Sequence, residues 1–189
     1  KQQPIAAGNS FTSIDCDSAT ECAMTVSSNN QLVITRDGGA TATVKTLSNA
    51  AIFAAAYAGT GKIVAVGAGG STVLSADGGN TFTTVSAALG GGGYSRLRAE
   101  PGGLIAAVGE RGDFALSSDG GATWRVIATQ TSTALSDVAF ATPQLAYALD
   151  TGGGLQQTAN GGVSWQTLST AGGRPRAVAA IGNAVLLFG

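Results

Sequence analysis

The sequence predicts an all-β protein, and two observations carry this prediction. Short segments rich in valine and alanine, such as KIVAVG (62–67) and GLIAAVG (103–109), alternate with glycine-rich turns, and no stretch shows a helical period. A tight-turn motif also recurs four times, at spacings of 40, 42 and 41 residues. Its third residues are Asp37, Asp77, Asp119 and Asn160. A period near 40 residues, with four short strands in each unit, is typical of the blades of a β-propeller.

The composition bounds the class of protein and excludes several kinds of site. The chain has 189 residues, a net charge of −1 and only 11% charged residues, which argues against a nucleic-acid partner. Histidine is absent, so Ser-His and Cys-His catalysis and the commonest zinc ligand are excluded. No apolar run reaches the roughly 18 residues of a membrane span, so we expect no membrane insertion. No cofactor or metal site is predicted, and the start at Lys1 without a signal segment indicates a mature or excised polypeptide.

The recurring motif has the chemistry of a self-locking hairpin turn. Its carboxylate or amide accepts hydrogen bonds from nearby backbone N–H groups, and the two glycines that follow tolerate positive φ. An aromatic residue closes three of the copies and is expected to pack against a neighbouring unit. The four copies are TRDGGATA (35–42), SADGGNTF (75–82), SSDGGATW (117–124) and TANGGVSW (158–165). We therefore assign structural roles to Asp37, Asp77, Asp119, Asn160, Trp124 and Trp165.

The motif S-x-D-x-G-x-T-W resembles the Asp box, or bacterial neuraminidase repeat, of β-propellers. Sialidases, sortilin-type receptors and some glycoside hydrolases carry it, and this chain is most similar to the photosystem II stability and assembly factor family. The resemblance implies that each box joins the third and fourth strands of a blade, on the face opposite the usual binding site. Ala42 replaces the aromatic in the first box and Asn160 replaces the aspartate in the fourth. Those two units are expected to be looser but not differently folded.

The units divide the single domain into four full repeats and a fragment of a fifth. The repeats run over approximately 11–48, 49–88, 93–130 and 134–171, and the partial unit covers 174–189. Residues 1–7 align with the strand that follows a box, so they are expected to close a five-bladed ring by joining the last unit, which removes exposed strand edges. The alternative is an excised arc of a larger propeller.

Cys16 and Cys22 are the only cysteines. Aligning SIDCDSATECAMTV (13–26) with SDVAFATPQLAYAL (136–149) places them on adjacent strands of one hairpin, which favours a disulfide. Two reduced thiols in a cytosolic protein remain the alternative, and zinc would require two further ligands nearby. Similar C-x5-C hairpins in secreted Asp-box proteins favour a secreted, periplasmic or cell-surface location.

The charged residues concentrate in the loops expected on the face opposite the boxes. Arg96 and Arg98 alternate, so both are expected to project from the same side of an innermost strand. Arginine suits bidentate recognition of carboxylates, which indicates a protein or peptide partner, or an acidic sugar. The predicted binding residues are Arg96, Arg98, Arg111, Arg174, Arg176, Tyr94, Glu110, Asp113, Asp137 and Asp150. Ordinary solvated loop charges are the alternative interpretation.

Two functions are compatible with this pattern: a non-catalytic binding or assembly module, expected to be a monomer, or a glycosidase of the sialidase kind. Sialidases need an arginine triad, a tyrosine nucleophile with a supporting glutamate, and an acid. The three tyrosines, Tyr57, Tyr94 and Tyr147, have no glutamate at family spacing, and RPR (174–176) matches the sialidase Arg-Ile-Pro motif only faintly. A carboxylate pair formed by Glu110 with Asp113 or Asp150 leaves ordinary glycoside hydrolysis open. We assign no catalytic residue.

Overall fold

The computed structural model describes residues 10–26, 30–47, 50–85, 89–90, 92–168, 173–182 and 184–189. Their strands form four antiparallel sheets of four strands and one sheet of two. The predicted fold, an all-β propeller with four-stranded blades and an incomplete last blade, is confirmed. Two short 3-10 turns, at Ala68–Gly70 and Glu110–Gly112, are the helical elements of the described residues.

Each sheet is a meander in which neighbouring strands in sequence are neighbours in space. Blade 1 contains β1 (Phe11–Cys16), β2 (Cys22–Val26), β3 (Gln31–Thr35) and β4 (Thr43–Thr46). Blade 2 contains β5 (Ile52–Tyr57), β6 (Ile63–Gly67), β7 (Thr72–Ser75) and β8 (Thr83–Thr84). Blade 3 contains β9 (Tyr94–Glu100), β10 (Leu104–Gly109), β11 (Phe114–Ser117) and β12 (Arg125–Ile127). Blade 4 contains β13 (Leu135–Phe140), β14 (Ala146–Asp150), β15 (Leu155–Thr158) and β16 (Gln166–Leu168), and blade 5 contains β17 (Ala177–Ile181) and β18 (Ala184–Phe188).

The first strand of each sheet is the innermost. β1 contacts β5, β5 contacts β9, β9 contacts β13 and β13 contacts β17, so these strands follow one another around a common axis. The core lies between successive blades, and the four largest apolar clusters of the described residues each join residues of two neighbouring sheets. Side chains that alternate along a strand therefore contact the preceding and the following blade in turn.

The four motif hairpins join the third and fourth strands of their sheets, as expected, and they share one set of hydrogen bonds. In the second hairpin, Ser75 Oγ donates to Asp77 Oδ1 at 2.8 Å, while Thr81 donates through its N–H at 2.9 Å and through its hydroxyl at 2.6 Å. These bonds, the Thr81 hydroxyl first, lower the pKa of Asp77 to about 2. Asn160 keeps the same geometry with the last bond reversed, because its Nδ2 donates to Ser164 Oγ at 2.8 Å. An amide thus replaces the carboxylate without changing the turn.

In blades 2, 3 and 4 the second glycine of the hairpin is required by the preceding blade, whereas nothing lies within 4 Å of a Cβ at Gly39 in blade 1. A Cβ at Gly79 would lie 2.2 Å from Ile34 Cδ1, one at Gly121 would lie 2.5 Å from Val64 Cγ2, and one at Gly162 would lie 2.7 Å from Ile127 Cδ1. All three glycines also have φ above +80°. The motif therefore repeats because each hairpin is the point where one blade docks on the blade before it.

The motif aromatics fill the same interfaces. Trp165 is buried and its ring meets Phe114 of blade 3 edge-on, with centroids 4.9 Å apart. Phe82 and Trp124 pack, partly buried, against clusters shared with blades 1 and 2 respectively. In blade 1 the aromatic position holds Ala42, which is exposed.

The predicted disulfide is present. Cys16 and Cys22 are paired directly across β1 and β2, and their sulfurs are bonded, with Cα atoms 4.0 Å apart. The bridge closes the hairpin that starts the first described blade. On the chain-entropy model such a short loop contributes roughly 2–3 kcal/mol to stability.

The fifth sheet has two strands within the described residues. One of its faces packs on blade 4 through Val178, Ala180 and Val185. Leu186 and Phe188, on the other face, are 43% and 53% exposed. Residues 1–7, which the sequence predicts to close this unit, lie outside the described residues.

Candidate ligand-binding site

Most of the predicted binding residues belong to the face opposite the hairpins. On that face the second and third strands of each sheet are joined, and the outer strand of one sheet continues to the inner strand of the next. We call it the loop face and the opposite one the box face. Glu110, Arg111, Asp150 and Arg174 lie on the loop face because their loops connect strands there.

Three of the predicted arginines line one cleft of about 330 Å³ on the loop face. Arg96 comes from β9 of blade 3, whereas Arg174 and Arg176 come from the segment that leads into β17. Ser136, Thr151 and Pro175 complete the lining, so no carboxylate contributes to the wall. All three arginines are exposed, and among the described residues none of them forms an ion pair. The cleft therefore presents three guanidinium groups and two hydroxyls to a ligand, a donor set suited to carboxylates.

The acidic residues of the predicted site bind backbone N–H groups of the fold. Glu110 Oε2 accepts from Gly93 at 3.3 Å and Asp113 Oδ2 accepts from Gly92 at 2.9 Å. Asp137 Oδ2 accepts from Val178 of blade 5 at 2.9 Å. Asp150 is buried and its Oδ1 accepts from Gly152 and Gly154 at 2.8 Å. These carboxylates hold loops and neighbouring strands, which leaves the nearby arginines without an acidic partner.

Tyr94 belongs to the core. Its ring is fully buried and its hydroxyl donates to the carbonyl oxygen of Leu89 at 3.1 Å. Burial, with a further contribution from the Asp113 charge, raises its pKa to about 12. Tyr94 thus supports the loop before β9 and does not reach the surface.

Arg98 is separated from the other predicted arginines. It alternates with Arg96 along β9, as predicted, but its Nε donates to Glu100 Oε1 at 3.0 Å, toward the end of β9 where the box face lies. The cleft on the loop face does not include it. The sequence places the two side chains correctly on one side of the strand, but it does not reveal that a glutamate two residues later binds one of them.

Arg111 has a left-handed backbone, with φ +57° and ψ +27°. It is the one non-glycine residue with positive φ among the described residues. The equivalent turn of blade 2 has Gly69 at φ +61° and ψ +26°. A non-glycine residue in this conformation costs about 1–2 kcal/mol, so the backbone at position 111 would favour glycine over arginine. Its exposed guanidinium extends the positive surface of the loop face toward Gly92.

A second, larger depression of about 650 Å³ lies along the axis, between the inner strands β1, β5 and β9. We call it the axial groove. Arg96 lines both the cleft and the groove, and its Nη1 donates to the carbonyl oxygen of Thr12 at 3.3 Å. The remaining groove wall is largely apolar, with Phe11 and Ile14 42% and 64% exposed.

Two sets of polar contacts were not anticipated from the sequence. On the box face, a basic side chain of blades 1, 2 and 3 donates to a backbone carbonyl in the next hairpin: Arg36 to Gly78, Lys62 to Asp119 and Arg125 to Gly161. At the axis, Ser13 and Asp15 of β1 accept hydrogen bonds from β5. The second set could have been predicted from the sequence, because Ser13 and Asp15 alternate on a predicted inner strand and therefore project from the same side of it.

Tyr57 and Tyr147 lie outside the cleft. Burial first, and then the negative charge of Glu21, raise the pKa of Tyr57 to about 12, opposite to what a nucleophile needs. Tyr147 Oη accepts from Gln157 Nε2 at 3.1 Å. Across the described ranges, no three His, Cys, Asp or Glu side chains cluster as a metal site. No helix within those ranges is long and apolar enough to span a membrane.

Comparison with solved structures supports the fold. No family model and no curated protein matches the chain. A structure of YCF48 bound to D1 peptide is 16% identical with a TM-score of 0.68, covering 90% of this chain and 57% of that chain. A virginiamycin B lyase from Staphylococcus aureus, solved with quinupristin, is 12% identical with a TM-score of 0.80, covering 97% and 64%. An ancestral GH74 enzyme is 18% identical with a TM-score of 0.73, covering 91% and 25%. This chain thus spans less than two thirds of each of those chains, and at these identities the likeness concerns the propeller architecture.

Proposed function

We propose that this protein is a non-catalytic binding or assembly module that takes an acidic peptide segment of a partner protein in the arginine cleft of the loop face. The observation that carries the proposal is the convergence of Arg96, Arg174 and Arg176 in one cleft that no carboxylate lines. Arginine pairs form bidentate bonds with carboxylates, so an extended acidic segment could bind two or three of them at once. Arg111, on the same face, lies outside the cleft and extends the field that attracts such a ligand.

Two further features support this assignment. The YCF48 structure contains a bound peptide, so a propeller of similar architecture can hold a peptide ligand. The four hairpins share the turn hydrogen bond from the residue four positions after the aspartate or asparagine, and we propose that they are Asp boxes on the face opposite the binding site. The Cys16–Cys22 disulfide favours a secreted, periplasmic or cell-surface location for this module, which we propose to be a monomer.

The test compares charge removal on the two faces. Changing Arg96, Arg174 and Arg176 together to alanine should weaken binding of a glutamate-rich peptide by about tenfold or more and flatten its salt dependence. The matched control changes Lys45, Lys62 and Arg125 of the box face to alanine, which alters net charge by the same amount. Affinity is measured by titration calorimetry at two salt concentrations, with an acidic oligosaccharide as a second probe.

The control should bind the peptide within about twofold of the unchanged protein, because its charges lie on the other face. Equal losses in both triple variants would show that attraction is only a function of net charge. Full binding by the loop-face variant would show that the cleft is not the site. Preference for the oligosaccharide would replace the peptide as ligand.

A further inference from the structure

We propose that the axial groove binds a carboxylate between β5 and β9, at the place that corresponds to the Asp15 side chain between β1 and β5. Side chains of the inner strand β1 accept hydrogen bonds from backbone N–H groups of the next inner strand, β5. Ser13 Oγ accepts from the N–H of Ala55 at 3.1 Å, and Asp15 Oδ2 accepts from the N–H of Tyr57 at 2.8 Å. These two N–H groups lie on the free inner edge of β5, which has no further strand to pair with. Blade 1 therefore supplies the acceptors that the edge of blade 2 needs.

The pairing register shows that blade 3 has the same two donors. In blade 2, Ala55 and Tyr57 pair with the residues two and four positions before Gly67, the last residue of β6. In blade 3, Leu97 and Ala99 pair with the residues two and four positions before Gly109, the last residue of β10. Leu97 and Ala99 are therefore the equivalents of Ala55 and Tyr57. The N–H groups of Leu97 and Ala99 are thus directed to the inner edge of β9, as those of Ala55 and Tyr57 are in β5.

The two side chains of β5 that are equivalent to Ser13 and Asp15 offer no acceptor for these donors. The positions equivalent to Ser13 and Asp15 are Ala54 and Ala56, whose side chains have no polar atom. Both alanines and both donor residues line the axial groove. Between blades 3 and 4 the equivalent positions hold Arg96 and Arg98, and between blades 4 and 5 Asp137 again accepts from an inner-edge N–H, that of Val178. A ligand oxygen is therefore the natural acceptor between blades 2 and 3.

The charges beside this position select an anion. Arg96 and Arg98 flank Leu97 on β9 and line the groove, and Asp15, already bound to β5, is the one carboxylate among the lining residues. Two backbone donors and the Arg96 guanidinium match the lone pairs of a carboxylate, whereas Arg98 is already paired with Glu100. The groove is far larger than one carboxylate and has apolar walls at Phe11, Ile14 and Met24. The ligand is thus a carboxylate on an apolar stem, either a free dicarboxylic acid or an acidic side chain of a peptide.

This site is separate from the cleft of the proposed function, although Arg96 lines both. The decisive variant is Ala56→Asp, which places a carboxylate within the chain beside Ala99 and leaves Arg96, Arg174 and Arg176 unchanged. With the unchanged protein, saturating succinate should raise the thermal midpoint by about 2–5 °C. Ala56→Asp should start from a higher midpoint and gain nothing from succinate, because the position is filled.

A second pair of variants keeps the test decisive if Ala56→Asp fails to fold. Asp15→Ala opens the equivalent position between β1 and β5, so its midpoint should fall and be partly restored by acetate or succinate. Asp15→Asn keeps an acceptor there and should show no such rescue. Absence of any succinate effect on the unchanged protein, together with absence of rescue in Asp15→Ala, overturns the proposal.

Two comparisons identify the source of the carboxylate and separate this site from the cleft. A capped peptide with one glutamate, used instead of succinate, should compete with it if the natural ligand is a side chain, and should be without effect if the ligand is a free diacid. Arg174→Ala with Arg176→Ala should abolish peptide binding in the cleft yet leave the succinate shift intact. Loss of the succinate shift in that double variant would assign the effect to the cleft and contradict a groove site.

Discussion

The box face and the loop face are built from the same repeating unit, but they use their polar groups differently. On the box face, Asp77 and Asp119 are bonded within their own turns, and basic side chains such as Arg125 bind the next hairpin. On the loop face, the turn that holds Gly69 in blade 2 holds Arg111 in blade 3. The sequence repeats in the hairpins, which contact the neighbouring blade, and it varies in the loop-face turns. If the proposed function is correct, the residues that depart from the repeat on the loop face, rather than the repeated aspartates, are expected to contact the ligand.

Removing a motif aromatic should give the largest effect on the box face. Trp165→Ala should lower the free energy of unfolding by about 3–5 kcal/mol, because it opens a cavity beside Phe114 between blades 3 and 4. Urea unfolding followed by circular dichroism measures the loss. Trp165→Phe is the matched control and should cost much less, since Trp165 Nε1 has no hydrogen-bond partner in the described part of the chain. A small, equal effect of both variants would show that this interface tolerates a void.

Acid is expected to lower the stability of the fold mainly by protonating aspartates of the box-face hairpins. Hydrogen bonds from Thr81 lower the pKa of Asp77 to about 2; in Asp119, partial burial opposes the bonds from Thr123 and Ser117, which still lower the pKa to about 2. The ordinary value is 3.8, so their stabilisation is fully present above that pH and is lost as pH falls through about 2. The thermal midpoint, measured between about pH 5 and pH 2, should therefore fall with acid. Asp119→Asn, which copies Asn160, should show a shallower fall, and an unchanged slope would contradict the assignment.

Substitutions in the equivalent loop-face turns of blades 2 and 3 are expected to change stability least, and they distinguish the loop face from the box face most directly. Arg111→Gly should stabilise the fold by about 1 kcal/mol, because glycine adopts the left-handed backbone without a Cβ clash. Gly69→Ala, at the equivalent turn, should cost a similar amount although open space surrounds it. Arg111→Gly should at the same time weaken binding of the glutamate-rich peptide, which thermal unfolding and calorimetry together detect. Loss of stability in Arg111→Gly would mean that its side chain contributes more to the loop than the strain costs.

The parts of the fold that could be predicted from the sequence are those decided within a few residues. The hairpin at Asp77 needs a hydroxyl two residues before it, a hydroxyl four residues after it and two glycines, all of which can be identified by inspection. The contacts of the predicted site residues could not be read from the sequence. Tyr94 is core, Arg98 binds Glu100, and the acids of the loop face bind backbone donors, because each outcome depends on which groups of other strands or loops come within hydrogen-bond distance.

By itself, the sequence determined the blade period, the four hairpins, the disulfide hairpin of Cys16 and Cys22 and the antiparallel architecture, because turn chemistry and strand alternation act over short stretches of chain. Only the tertiary structure decided that Arg96 shares a cleft with Arg174 and Arg176, and that Asp15 accepts from the N–H of Tyr57 on the neighbouring inner strand. Inner strands converge on a common axis, so residues far apart in sequence become neighbours there. No local pattern encodes that convergence, because it depends on how many blades lie between two strands and on how each blade packs against the next.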